Sequence, residues 1–94
     1  MKVIWLANAL ARRDAAIERI AEDDARAAQG QLDEIERQTA RLPHHPELGR
    51  PADPTGTRRL GIARTPFVIL YRIRPRAQRI EIFRFIHTSQ DWQS

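Results

Sequence analysis

Residues 66–87 read PFVILYRIRPRAQRIEIFRFIH, and this stretch decides the fold class. Phe67 to Arg74 and Arg79 to His87 are runs of β-branched, aromatic and long aliphatic residues, too short for a buried helix and separated by Pro75-Arg76-Ala77-Gln78. A proline-led polar tetrapeptide between two such runs is a hairpin signal. Immediately upstream, Arg58 to Ala63 places Leu60 and Ile62 on one face, and Arg64-Thr65-Pro66 supplies another short connection. The pattern predicts three consecutive antiparallel strands.

Towards the N-terminus the period changes. Lys2 to Leu6 (KVIWL) reads as a short strand, followed at once by Asn8 as a possible helix cap. From Ala9, the apolar residues Leu10, Ile17, Ile20 and Ala21 recur at helical spacing, with Arg12, Arg13, Glu18 and Arg19 directed elsewhere. Glu22-Asp23-Asp24 interrupts that stripe and offers Asp23 or Asp24 as the cap of a second helix. There Ala25, Ala28, Leu32, Ile35, Thr39 and Leu42 alternate steps of three and four up to Pro43. Gly30 inside this helix costs roughly 1 kcal/mol relative to alanine, so it either allows close packing or marks a softer point. Residues 43–57, PHHPELGRPADPTGT, hold four prolines and two glycines and form the one long loop. The expected order is β-α-α-β-β-β: an α+β fold with a helical hairpin on one face of a small antiparallel sheet, in a single domain spanning 1–94.

Composition narrows the functional classes. No cysteine is present, which removes disulfides and thiolate metal sites. The apolar opening is broken by Asn8 and Arg12-Arg13 before it reaches membrane-spanning or signal-peptide length, so a cytoplasmic protein with no membrane partner is expected. His44 and His45 lie between Pro43 and Pro46 without a carboxylate or cysteine to complete a ligand set, so no metal or other cofactor is expected. The net charge of +4 conceals an asymmetry: residues 1–49 carry seven basic and nine acidic side chains, residues 50–94 nine basic and three acidic. All nine basic residues of the second half are arginine, whose planar fork grips phosphate or carboxylate through paired hydrogen bonds. Exposed strands also need charge to stay soluble and unpaired at their edges.

Strict alternation leaves both sheet faces partly apolar. Phe67, Ile69, Tyr71 and Ile73 share one side of their strand, with Val68 and Leu70 opposite before Arg72 and Arg74 take over. In the last strand, alternation groups Ile80, Ile82 and Ile86 with Arg84, against Phe83 and Phe85. Two helices cover one face, so an apolar, arginine-bordered face is expected to remain for a partner segment or a folded-back tail. Arg84 among isoleucines needs either a helix carboxylate such as Glu18 or an outward-facing role.

In the order VIWLANALARRDAAIERIAEDD, LPHHPELGRP, GTRRL, PFVILYRI and IEIFRFIHTSQDW, nearly the whole chain resembles the RelE/ParE superfamily of toxins from bacterial type II toxin–antitoxin modules. The resemblance implies a small toxin neutralised by a cognate antitoxin, whose disordered C-terminal part folds along the toxin and whose other end binds operator DNA. One branch, RelE-like, cuts messenger RNA on the ribosome without a metal; the other, ParE-like, inhibits DNA gyrase. Metal-free RNA cleavage needs a proton acceptor, a proton donor and fixed cations around the phosphate. Set against the RelE-like pattern, Arg59 matches a basic position, but Gly61 and Val68 stand where further cations belong, and the terminal aromatic, Trp92, cannot carry a proton. The family's last arginine falls near Ser89 or Gln90. His87 is the best proton-transfer candidate.

The chain therefore sits closer to the ParE-like branch: a growth-inhibiting, gyrase-binding protein that is not an enzyme. The rival is a ribosome-dependent endoribonuclease using Arg59, Arg84 and His87; a third reading is a non-toxic relic that binds antitoxin alone. The residues expected to meet antitoxin or target are Arg58, Arg59, Arg72, Arg74, Arg84, Phe83, Phe85 and Trp92.

Overall fold

A computed structural model describes residues 1–91. β1 (Lys2–Trp5) leads into α1 (Ala7–Asp23) and α2 (Ala25–Thr39); β2 (Arg50–Ala52), β3 (Thr57–Gly61), β4 (Phe67–Arg74), β5 (Arg79–His87) and a last turn of helix, α3 (Thr88–Asp91), follow. The strands form one sheet in the order β1-β5-β4-β3-β2. The α+β fold is as expected, with two refinements. β1 joins β5 in parallel, so the sheet is mixed, and the proline-rich loop contributes a short edge strand, β2, antiparallel to β3. Pro51 is tolerable there because an edge residue can forgo a ladder donor.

The helical hairpin is set by local chemistry. α1 begins at Ala7 with Leu6 at its cap position and no side-chain cap, so Asn8 lies inside the helix rather than before it. Asp24 is the cap of α2: its carboxylate accepts the Ala27 N–H at 3.0 Å. α2 ends at Thr39, and tight turns carry the chain on so that Leu42 is still fully buried. A Cβ at Gly30 would meet nothing within 4 Å, which excludes close packing as the reason for that glycine.

One core lies between hairpin and sheet. Ala9, Ile35 and Leu42 pack on Ile69, Tyr71, Ile80, Ile82, Phe67 and Phe85, with Val3, Trp5, Ile17, Ile20 and Leu60 around them. Phe85 belongs to this core, against the alternation that set it opposite Ile80 and Ile82. The cause is a bulge. Leu70 pairs with Arg84 and Tyr71 with Ile82, which leaves Phe83 as an extra residue in β5. An inserted residue shifts the side-chain phase of everything beyond it. Phe85 therefore turns inward, and Arg84 and Ile86 turn to the face away from the helices.

The long loop is fixed to the sheet at one point. The fully buried Tyr71 donates its hydroxyl to the Pro46 carbonyl at 2.6 Å and accepts the Gly49 N–H at 2.8 Å. Glycine is required here, since a Cβ on residue 49 would come within 2.8 Å of the Arg59 carbonyl oxygen and 2.9 Å of Tyr71 Cε1. α2 is tied to the β3–β4 turn by Gln38, which donates to the Ala63 carbonyl and accepts the Ala63 N–H, and by Glu34, which pairs with Arg64 at 3.1 Å. No helix among the described residues is long and apolar enough to cross a membrane.

Candidate functional site: a cationic sheet face and a cleft on the other side

Pairing register assigns side chains to faces, because residues opposite one another in a ladder project to the same side. Arg84, Leu70, Arg59 and Arg50 are successive partners across β5, β4, β3 and β2, and so form one row on the face away from the helices. The next row contains Ile4, Glu81, Arg72 and Thr57; beyond it lie Arg79 and Arg74. This face is charged. Of its apolar members Val68 and Ile86 are 1% and 8% exposed and Leu70 is half-buried, and the only large hydrophobic residues exposed among the described ones are Met1 and Ile4. The broad apolar surface expected from alternation is therefore not there: the bulge moved Phe85 into the core and brought Arg84 out.

Glu81 organises the centre of the face. Its carboxylate is nearly buried and receives three guanidiniums: Arg72 Nε at 2.8 Å and Arg74 Nε at 3.2 Å on Oε1, and Arg79 Nε at 2.8 Å on Oε2. The hydrogen bond from Arg72, reinforced by those from Arg74 and Arg79, lowers the Glu81 carboxyl to about 2 although burial opposes the shift. Arg72 also lies over the Phe83 ring, 5.0 Å from its centroid. One carboxylate thus holds three arginines in fixed orientations with their side chains still a third to a half exposed.

The sequence candidates divide on this framework. Arg59, Arg72, Arg74 and Arg84 share the face, with Phe83 half-buried beneath Arg72. Arg58 does not: it faces the helical side beside Tyr71, and its guanidinium donates to the Gly49 carbonyl at 2.7 Å, a contact that ties it to the loop. Phe85 is a core residue at 5% exposure. Trp92 lies outside the described residues. Arg84 is exposed and, among the described residues, does not pair with Glu18, because the bulge turned it away from the helices.

His87 lies on the opposite side. It pairs with Phe67, its ring meets the Phe67 ring edge-on at 5.7 Å, and its Nδ1 accepts the Ser89 N–H at 3.1 Å. With Ala16, Arg19, Gln31 and Phe67 it lines a cleft of about 570 Å³ between the hairpin and the end of the sheet. A neighbouring hollow continues along α1 past Arg12, Ala15 and Phe85. Gln31 Oε1 is buried in the described structure without a hydrogen-bond partner. No cluster of three or more metal-ligating side chains occurs among the described residues.

Sequence reasoning missed Glu81, Arg79, Arg50 and the Tyr71–Gly49 lock. The first three need the register, which one-dimensional alternation does not supply once a bulge intervenes. The lock had a faint signal, a glycine among the prolines of the loop.

Residues 3–92 match the family described as "ParE toxin of type II toxin-antitoxin system, parDE". The chain is 33% identical over 91 residues to Y4kP of Sinorhizobium fredii (strain NBRC 101917 / NGR234), a protein whose name marks it as a candidate toxin; the match covers 97% of this chain and 92% of that one. Its fold superposes on a chain from the chromosomal ParDE TA system of P. aeruginosa with a TM-score of 0.79 at 26% identity, covering 93% of this chain and 95% of the other. With the fold and a family match over residues 3–92 in agreement, the chain belongs to the ParE toxin family of type II toxin–antitoxin systems.

Proposed function

We propose that this protein is the toxin of a two-component module, that it arrests growth by binding DNA gyrase rather than by cutting RNA, and that a cognate antitoxin silences it in the cytoplasm. The observation that carries the choice of mechanism is the division of the residues a ribonuclease would need. Arg59 and Arg84 project from one face of the sheet, while His87 projects from the other and is engaged by Ser89 and Phe67. Proton transfer and phosphate stabilisation must act within hydrogen-bond reach of one scissile phosphate. Side chains on opposite faces cannot converge in that way.

The antitoxin segment finds its best support in the cleft beside α1. Phe67 and Phe85 form an apolar floor, Ala15 and Ala16 allow close approach, and Arg12 and Arg19 stand at the rim for acidic side chains. The unpartnered Gln31 Oε1 offers an acceptor to an incoming donor. A segment that orders on binding gains most from such a prepared groove.

The test is gyrase-catalysed supercoiling with purified toxin, run beside a ribosome-programmed mRNA cleavage assay. Inhibited supercoiling with accumulation of broken DNA, and intact message, is the expected result. Codon-positioned cuts in the message with normal supercoiling would overturn the reading, and inactivity in both assays together with normal growth on induction would reduce the protein to an antitoxin-binding relic.

A further inference from the structure

The reading above assigns no partner to the sheet face opposite the cleft, and its chemistry points to a different one. We infer that this face binds the sugar-phosphate backbone of duplex DNA, with Arg50, Arg59 and Arg84 forming one row of contacts and the Glu81-anchored Arg72, Arg74 and Arg79 forming a second.

Three observations carry this. The first is charge: among the described strand residues of this face there is one acid, Glu81, against six arginines, three of which engage it. Adjacent strands lie about 4.8 Å apart, so Arg59 and Arg50 are neighbours and Arg84 lies roughly 10 Å from Arg59 across Leu70. Such an array can neutralise several phosphates of a polymer carrying a charge every ~1.7 Å of its axis.

The second is pre-organisation. Glu81 engages Arg72 and Arg74 through Nε, which fixes each planar fork while the side chain stays partly exposed. Fixed forks lose less entropy when they grip phosphate. Glu81 is thus a positioning residue, and the cluster retains net positive charge.

The third is what the face lacks. Single-stranded nucleic acids and sequence-read RNA are held on exposed aromatic platforms. Here the one aromatic residue of the described face, Phe83, is half-buried with Arg72 over its ring. A bound acidic peptide would also need apolar side chains to grip, yet on this face Val68 and Ile86 are buried and Leu70 is half-buried, which leaves Ile4 at the β1 edge as the exposed large hydrophobic residue among the described ones. Charge and planar donors without stacking surfaces suit a duplex backbone.

The inference goes beyond the gyrase reading and stands apart from it. Its test is fluorescence anisotropy of a labelled duplex of about 20 base pairs titrated with the purified chain at a series of salt concentrations. The wild type is expected to bind with log affinity falling linearly in log salt. The double variant R50Q/R84Q should lower the steepness by about 2, roughly 0.9 per lost contact, and weaken binding about tenfold or more near 0.1 M salt. R26Q/R41Q removes the same charge from exposed positions on the helical side and should change neither; circular dichroism confirms folding of both. Equal losses in the two double variants, no binding by the wild type at low salt, tighter binding of single-stranded RNA of the same length, or ready displacement of the duplex by a polyglutamate peptide would each overturn the inference. None of these readings contains gyrase, so inhibited supercoiling without duplex binding removes this inference alone, and duplex binding without inhibition removes the gyrase reading alone.

Discussion

Replacing Tyr71 by phenylalanine removes one oxygen atom and leaves the ring in place. That oxygen is the meeting point of the long loop and the sheet: it donates to the Pro46 carbonyl at 2.6 Å and accepts the Gly49 N–H at 2.8 Å, in a residue with no solvent exposure. The variant leaves a backbone donor and a backbone acceptor unpaired beside a core ring. Each group stranded in this way costs about 1–3 kcal/mol, and a carbonyl tolerates it better than an N–H. The expected loss is about 2–4 kcal/mol, a large share of the ~5–15 kcal/mol available to a small domain. In a chain of this size 1 kcal/mol moves Tm by about 4–8 °C, so thermal unfolding should shift down by about 8–32 °C. Urea unfolding gives the matching drop in midpoint at constant slope, and the Gly49 amide should exchange much faster with solvent. A shift of less than about 3 °C with an unchanged Gly49 exchange rate would refute the lock, because it would mean that water or a relaxed loop satisfies both groups without cost.

Four further outcomes follow from the same geometry. Gly49→Ala should destabilise by about 1–3 kcal/mol in thermal unfolding, since its Cβ lands 2.8 Å from the Arg59 carbonyl oxygen, which is backbone and cannot swing away. Arg58→Gln should loosen the loop, seen as faster exchange at Gly49, yet leave duplex affinity unchanged, because this guanidinium serves the Gly49 carbonyl on the helical side. Asp24→Ala removes the α2 cap on Ala27 N–H and should cost about 1 kcal/mol, read as a lower urea midpoint with an unaltered slope. Glu81 and Glu34 both titrate at about 2 in the folded protein against an ordinary value of 4.5, so their stabilising contributions are complete above about 4.5 and vanish as pH falls towards 2. Urea midpoints measured down that range should therefore decline, and E81Q and E34Q should each flatten the decline; an unchanged slope in E81Q would show that the three arginines do not depress its carboxyl.

The strand runs Phe67 to Arg74 and Arg79 to His87, the stripe Ala28–Leu32–Ile35 and the Asp24 cap were legible because hydrophobic period and capping chemistry are local properties of the chain. So were the single core, the hairpin under the sheet, the arginine-rich second half and the family resemblance, since each rests on residue type and order alone. The faces were not legible. Alternation extrapolated through Phe83 put Arg84 with the isoleucines and Phe85 outside, and one inserted residue in β5 reversed both assignments. A bulge has no reliable signature in the chain, because it is fixed by how two strands share twist and hydrogen bonds across a sheet. The same limit hid the three-arginine grip on Glu81, the row joining Arg84, Arg59 and Arg50, and the separation of His87 from those arginines. Sequence established which chemistry the chain carries; which side of the sheet each group occupies depends on pairing between distant residues, and only the folded sheet decides it.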